Sequence, residues 1–266
     1  MWNLGPMYHP LINHPFKKFL WSALFSCSLL SACSDTPKDD YKERSVEELY
    51  QEAYGFLHKD NPIMAAKTFE EVERQHPYSS WAPKSEILAA YSFYLAQKYE
   101  DAASLLETFI QVHPSHKEIA YAYYLLGLCY YEQMSGIERD QQMTELALQT
   151  FDELLKRFPN SEYAKDARLK MDLALDHLAG REMEIGRFYL NTHQPIAALN
   201  RFKYVTQKFQ TTTHTAEALY RMVEVYLILG IKPEARRVAA VLGHNYPQSI
   251  WYKDVYNLLT SPPPSE

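Results

Sequence analysis

One spacing recurs along this chain and limits what it can fold into. From Ala53, an aromatic follows three residues on (Phe56), an alanine twelve on (Ala65), a phenylalanine sixteen on (Phe69) and a proline twenty-four on (Pro77). The same offsets from Ala90 give Phe93, Ala102, Leu106 and Pro114, and from Val223 they give Tyr226, Ala235, Ala239 and Pro247. Gly186 gives Tyr189, Ala198 and Phe202, with Gln210 where a proline would stand. Gly127 gives Tyr130 directly, while Ala147, Phe151 and Pro159 arrive eight residues late. Each position has a physical reason. The small residue lets two helices approach, and the aromatic three residues on lies on the same face. The alanine and the Phe or Leu four residues later form the inner stripe of a second helix, which proline cannot continue. Asn61-Pro62 reads as an N-cap followed by a first-turn proline, and Gln194-Pro195 takes the matching place. No strand-like alternation bounded by turn signals stands out, so the chain is predicted to be all-α.

This is tetratricopeptide-repeat spacing over about 45–250, and it predicts a superhelical solenoid of five helix pairs, because single pairs cannot bury their faces alone. The eight added residues, around Ser135 to Gln142, should lengthen the loop inside the third repeat and project from an edge. Between Ser161 and Leu190 only Gly180 interrupts the helical pattern, which predicts one long helix or two nearly continuous ones. The expected divisions are 45–160 for repeats one to three and 161–259 for repeats four and five, entered by the long helix. A polar tether over 33–44 precedes them, and a proline-containing disordered tail over 260–266 follows.

The opening residues carry an address. Lys17 and Lys18 precede a twelve-residue apolar run, Phe19 to Leu30, and small residues then lead to Cys33. That run is too short to span a bilayer as a helix, which takes about 20 apolar residues. The layout is a signal peptide over 1–32, with translation expected to start at Met7 or later. Leu30-Ser31-Ala32-Cys33 resembles the bacterial lipobox, which implies a covalent lipid on Cys33 and no other cofactor. With Ser34 rather than Asp after the cysteine, the resemblance implies the outer membrane and its periplasmic face. Losing Lys17 and Lys18 takes Lys plus Arg from 27 to 25 against 33 Asp plus Glu, a net charge of −8. Such a surface argues against nucleic acid. Cys129 is then the one cysteine not lipidated, so no internal disulfide forms, and its apolar surroundings predict a buried, unreactive thiol.

In stacked helix pairs the first helices line the concave face. By the spacing, that face holds Glu47, Tyr50, Tyr54 and Leu57 in repeat one, Lys84, Ile87, Tyr91 and Tyr94 in repeat two, and Tyr121, Tyr124, Leu128 and Tyr131 in repeat three. Tyrosine offers flat apolar area and a hydroxyl, which suits a peptide groove, although packing between repeats competes as an account. Lys84 is the sole candidate there for clamping a carboxylate, so aromatic contact should dominate. In the C-terminal half, Arg201 and Lys203 lie beside the buried stripe, and Arg221, Arg236 and Arg237 follow. A docking surface for an acidic partner competes there with plain solvation of helix charges. No His-Glu-x-x-His pair, phosphate loop or nucleophile elbow occurs. His113 and His116 lack a third metal ligand, so neither an enzyme nor a metal site is expected.

Lipobox, tether and five repeats together resemble the BamD family of outer-membrane protein assembly lipoproteins. The resemblance is carried by Leu30-Ser31-Ala32-Cys33, Glu48-Leu49-Tyr50-Gln51-Glu52-Ala53, Phe158-Pro159-Asn160-Ser161-Glu162-Tyr163 and the run from Leu178 to Leu190. It implies a non-catalytic subunit whose N-terminal repeats capture unfolded outer-membrane barrel proteins through their aromatic C-terminal signal. The C-terminal repeats would dock on the periplasmic domain of BamA, with other assembly-complex lipoproteins alongside. By position in the family, Asn200 and Arg201 fall at that docking contact, with Arg201 preferred, and Lys203 beside them is taken into the same expected docking set. The competing readings are a different periplasmic repeat lipoprotein, an adaptor for cell-wall or division proteins, and an enzyme acting on peptidoglycan.

Overall fold

In the computed structural model residues 43–260 are described, and among them there are eleven helices and no strand. These are α1 (Val46–His58), α2 (Pro62–Gln75), α3 (Ala82–Leu95), α4 (Tyr99–Val112), α5 (Ile119–Glu132), α6 (Gln142–Arg157), α7 (Ala164–Asn191), α8 (Pro195–Lys208), α9 (Thr215–Ile228), α10 (Lys232–Asn245) and α11 (Ile250–Thr260). Each packs on the next, and the five expected pairs are α1/α2, α3/α4, α5/α6, the end of α7 with α8, and α9/α10. First helices also touch one another, α3 with α5 and α5 with α7. The signal region, Cys33, nearly all of the tether and the tail beyond Thr260 lie outside the described residues.

The repeat positions do the packing that their chemistry dictates. A Cβ added to Gly127 would fall 2.4 Å from the Phe151 ring, and one on Gly186 would fall 2.4 Å from the Phe202 ring. Glycine is there because an aromatic ring lies against the helix backbone. At the same offsets stand Ala53 with Phe69, Ala90 with Leu106 and Val223 with Ala239, all buried. Where the second residue is smaller than phenylalanine, as with Leu106 and Ala239, the first is larger than glycine, which helps fill the interhelical space.

Local signals set the boundaries. Ser45 Oγ accepts from Glu48 N–H at 3.2 Å, and Asn61 Oδ1 accepts from Met64 N–H at 3.3 Å, capping α1 and α2. Seven residues after the small position, Asp60, Gln97, His193 and Gly230 all take positive φ, between 55° and 74°. After each, the next N–H reaches back to a carbonyl five residues earlier, as in Asn61 to Phe56 at 2.9 Å and Ile231 to Tyr226 at 2.8 Å. This left-handed closure turns a first helix into its second. The absent proline at Gln210 costs little. Thr212 and Thr215 hydroxyls donate to Phe209 C=O at 2.8 and 2.9 Å, ending α8 by satisfying its last carbonyl.

α7 is one unbroken helix of 28 residues, about 42 Å long at 1.5 Å per residue. Its first half buries Ala167 and half-buries Met171 against the core of α3 to α6, and its second half buries Ala179 and Met183 in the core of α8 to α11. The eight-residue insertion does not stand away from the edge as expected. Gln141, only 1% exposed, donates to the carbonyls of Gly136 and Arg139 at 3.1 Å and accepts from Thr144, which folds the loop upon itself. His177 of α7 then hydrogen-bonds Ser135 C=O at 2.7 Å.

Candidate protein-binding site

The first-helix face of the N-terminal half is aromatic. Tyr54 is 41% exposed, and Tyr91, Tyr94, Tyr121, Tyr124 and Tyr131 are half-buried. Tyr50 sits deeper: Trp81, from the loop after repeat one, closes edge-on at 4.7 Å, Phe69 packs at 5.5 Å and Tyr54 stacks at 6.0 Å. Lys84 Nζ lies 5.4 Å over the Tyr50 ring, fixing the exposed cation of this face above an aromatic surface.

The start of α7 completes the face. Tyr163 stacks on Tyr124 at 5.1 Å and meets Tyr121 at 5.4 Å. The Tyr124 hydroxyl donates to Asp166 Oδ2 at 2.6 Å, and Lys170 Nζ stands 4.9 Å over the Tyr131 ring. Burial first, then nearby carboxylates, push the Tyr94 and Tyr163 phenols up to about 12, and Tyr121 and Tyr124 shift the same way. These four rings are therefore uncharged across the neutral range. Tyr163, Asp166 and Lys170 were missed in the sequence because they precede Gly186 and fall outside the five matches. Counting on from Pro159 as from Pro114 would have found Asp166, which stands seven residues after its proline as Tyr121 does. Cys129 is fully buried beneath, its thiol pushed up to about 12 by burial, and it is no nucleophile.

The corresponding face of the C-terminal half is ionic. Arg187 bonds Glu184 at 2.5 Å and Glu217 at 2.9 Å, and Arg221 bonds Glu217 at 3.3 Å and Glu224 at 2.8 Å while lying over Tyr220 and Trp251. These cations neutralise their own neighbours. On α8, Asn200 is exposed and Arg201 is 42% exposed at its side chain, held by Glu182 at 3.1 Å. Lys203 Nζ lies 5.6 Å over the Tyr226 ring. The structure thus keeps Asn200, Arg201 and Lys203 together on one helix and apart from the tyrosine face. Among the described residues no group of three metal-ligating side chains converges, and no helix is long and apolar enough to cross a membrane.

Helix pairs stacked one upon the next define a helical-repeat protein of tetratricopeptide type. The family model described as YfiO, outer membrane lipoprotein, matches residues 42–242, and the chain belongs to this family, whose curated members bear the name BamD. Relatives named outer membrane protein assembly factor BamD include that of Caulobacter vibrioides, 44% identical over 90% of this chain and 79% of its own. The Rickettsia prowazekii protein is 44% identical over 90% of this chain and 96% of its own, and a Neisseria meningitidis protein is 34% identical over 88% and 92%. A thermophilic TPR protein of Thermus thermophilus matches with a TM-score of 0.38 and 16% identity, covering 81% of this chain and 99% of that one. The helix pairs themselves, and not that distant likeness, establish the fold. The family is one of outer-membrane assembly factors, and the chain shares that association.

Proposed function

We propose that this chain is a non-catalytic, lipid-anchored subunit that holds unfolded barrel proteins during their assembly into the outer membrane. The lipid sits on Cys33 at the periplasmic face, and no other cofactor takes part. The N-terminal repeats hold the client's aromatic C-terminal segment on the tyrosine face. Tyr54, Tyr91, Tyr94, Tyr121, Tyr124 and Tyr131 provide flat apolar area, Tyr50 backs it from beneath, and Lys84 adds a cation. The C-terminal half docks on the periplasmic domain of BamA through Asn200, Arg201 and Lys203, with other assembly lipoproteins alongside. The observation that carries this reading is the set of partly exposed tyrosines on α3 and α5, with Tyr121 and Tyr124 packed against Tyr163 at the start of α7. Rings held by their neighbours lose little conformational freedom when a peptide lies on them.

A separation-of-function pair tests it. Tyr54→Ala with Tyr91→Ala should weaken binding of a barrel C-terminal peptide about tenfold while leaving co-purification of BamA intact. Arg201→Glu should do the reverse, because it places a carboxylate against Glu182 and removes the cation. Loss of both activities in each variant, or of neither, would remove the division of labour.

A further inference from the structure

The side opposite the tyrosine face has its own chemistry. Between α4 and α6, over α5, a cavity of about 280 Å³ is floored by Tyr123, Leu126 and Tyr130 and rimmed by Glu107 and Glu153. The equivalent groove of the C-terminal half, between α8 and α10, is floored by Leu219 and Met222, has no carboxylate on its rim and carries Arg237. The two grooves therefore differ: carboxylates line the first, while the second is lined by Arg237, which pairs with Glu234 at 2.8 Å.

The acidic character continues toward the N-terminus along the shared wall α4. Glu86 stands four residues before Ala90, as Tyr123 stands four before Gly127 and Leu219 four before Val223, so it takes the floor place of the preceding groove. Around it gather Glu70 and Glu73 of α2 and Asp101 of α4. Burial first, then Asp101 and Glu73, raise the Glu70 carboxyl, opposed by Lys67; burial and Glu73 raise Glu86, opposed by His113 at 3.5 Å. Burial is the larger cause for both, and the neighbouring carboxylates add to it while Lys67 and His113 offset it in part. Partial burial reduces their screening by salt, and so strengthens their pull on an incoming cation.

We infer that this second-helix side of repeats one to three is a docking track for an extended, basic segment of a partner protein, its Lys or Arg heads meeting Glu70, Glu73, Glu107 and Glu153 and its apolar residues filling the Tyr123–Leu126–Tyr130 cavity. The occupant follows from charge complementarity: a floor that is apolar with a rim that is anionic fits a chain alternating cationic and aliphatic residues. The track opens between second helices, with Tyr123, Leu126 and Tyr130 of α5 as its floor and Tyr121, Tyr124 and Tyr131 of the same helix outside its lining, so client and basic segment bind together without overlap.

The test uses the full-length protein in detergent and a fluorescein-labelled peptide of repeated Lys-Leu-Ser triplets, with a Glu-Leu-Ser peptide as its counterpart, followed by anisotropy. The Lys peptide should bind, and the Glu peptide should not. Glu73→Gln, Glu107→Gln and Glu153→Gln together should weaken the Lys peptide about tenfold or more, as expected when three charge-assisted contacts are lost. An equal change of charge in the other half, Glu184→Gln, Glu234→Gln and Asp254→Asn, should alter it less than about twofold. Equal weakening by the two triples would reduce the effect to net charge and overturn the track, as would tight binding of the Glu peptide. The exposed single change Glu153→Lys keeps the test decisive should the triple fail to fold: unchanged affinity there would also overturn it.

Discussion

A close glycine–ring contact of the core can be tested by borrowing one repeat's solution for another. Gly186 lies under Phe202, and a Cβ there would stand 2.4, 2.8 and 2.9 Å from three ring carbons. Ordinary carbon contacts are about 3.5–4.0 Å, so Gly186→Ala requires the ring to move by about 1 Å. Phe202 is completely buried, with Val205, Ala198 and Met183 in the same core, and has no space to move into. Overpacking of this kind costs about 1–3 kcal/mol, and the enclosed ring points to the upper end. Alanine's better helix propensity returns about 1 kcal/mol, leaving a net loss of about 2 kcal/mol. At about 2–4 °C per kcal/mol for a domain of this size, the melting temperature should fall by about 4–8 °C. Phe202→Leu alone leaves a cavity and should cost about 1–2 kcal/mol. The double variant recreates the Ala90–Leu106 pair of repeat two, and should lose no more than about 1 kcal/mol. Urea unfolding of the four proteins, followed by circular dichroism, gives the coupling. A double variant whose loss equals the sum of the singles within about 0.5 kcal/mol would refute the steric argument.

Two further outcomes follow from the same structure. His193 takes φ of 59° in the turn between α7 and α8, where glycine avoids the side-chain penalty, so His193→Gly should raise stability by about 0.5–1 kcal/mol in thermal melts; a lower melting temperature would contradict the turn geometry. The phenols of Tyr94, Tyr163 and Tyr220 are raised from 10 to about 12 in the fold. Above pH 10 the unfolded chain loses these protons first, so stability should be complete below pH 10 and decline between 10 and 12. Ultraviolet phenolate absorbance should rise together with loss of helix in that window, and a fold whose stability stays level to pH 12 would deny the burial of these rings.

Much of this architecture was legible because a helix pair needs a small residue, an aromatic and a stop at fixed distances. The five offsets located every pair, and the lack of a stop between Ser161 and Leu190 announced α7. What escaped was tertiary. Spacing placed Tyr50 on the right face but could not reveal that Trp81 covers it. Arg201 and Glu182 pair across 19 residues through packing of α8 on α7, which no local pattern encodes. The insertion was visible as an interruption, yet its return to His177 depends on a buried Gln141 that composition does not single out. The start of α7 exposes Lys165, Arg168 and Asp172 together with Leu169 and Leu173, each 57% exposed, a mixed surface that local spacing did not announce.

Site-specific photo-crosslinking in growing cells tests the central claim most directly, with a photoreactive residue placed at Tyr54, Tyr91 or Tyr131 in one set of strains and at Asn200 in another. The account predicts adducts with unfolded barrel precursors from the tyrosine positions and an adduct with BamA from Asn200. Precursors captured at Asn200, with the tyrosine positions silent, would contradict it.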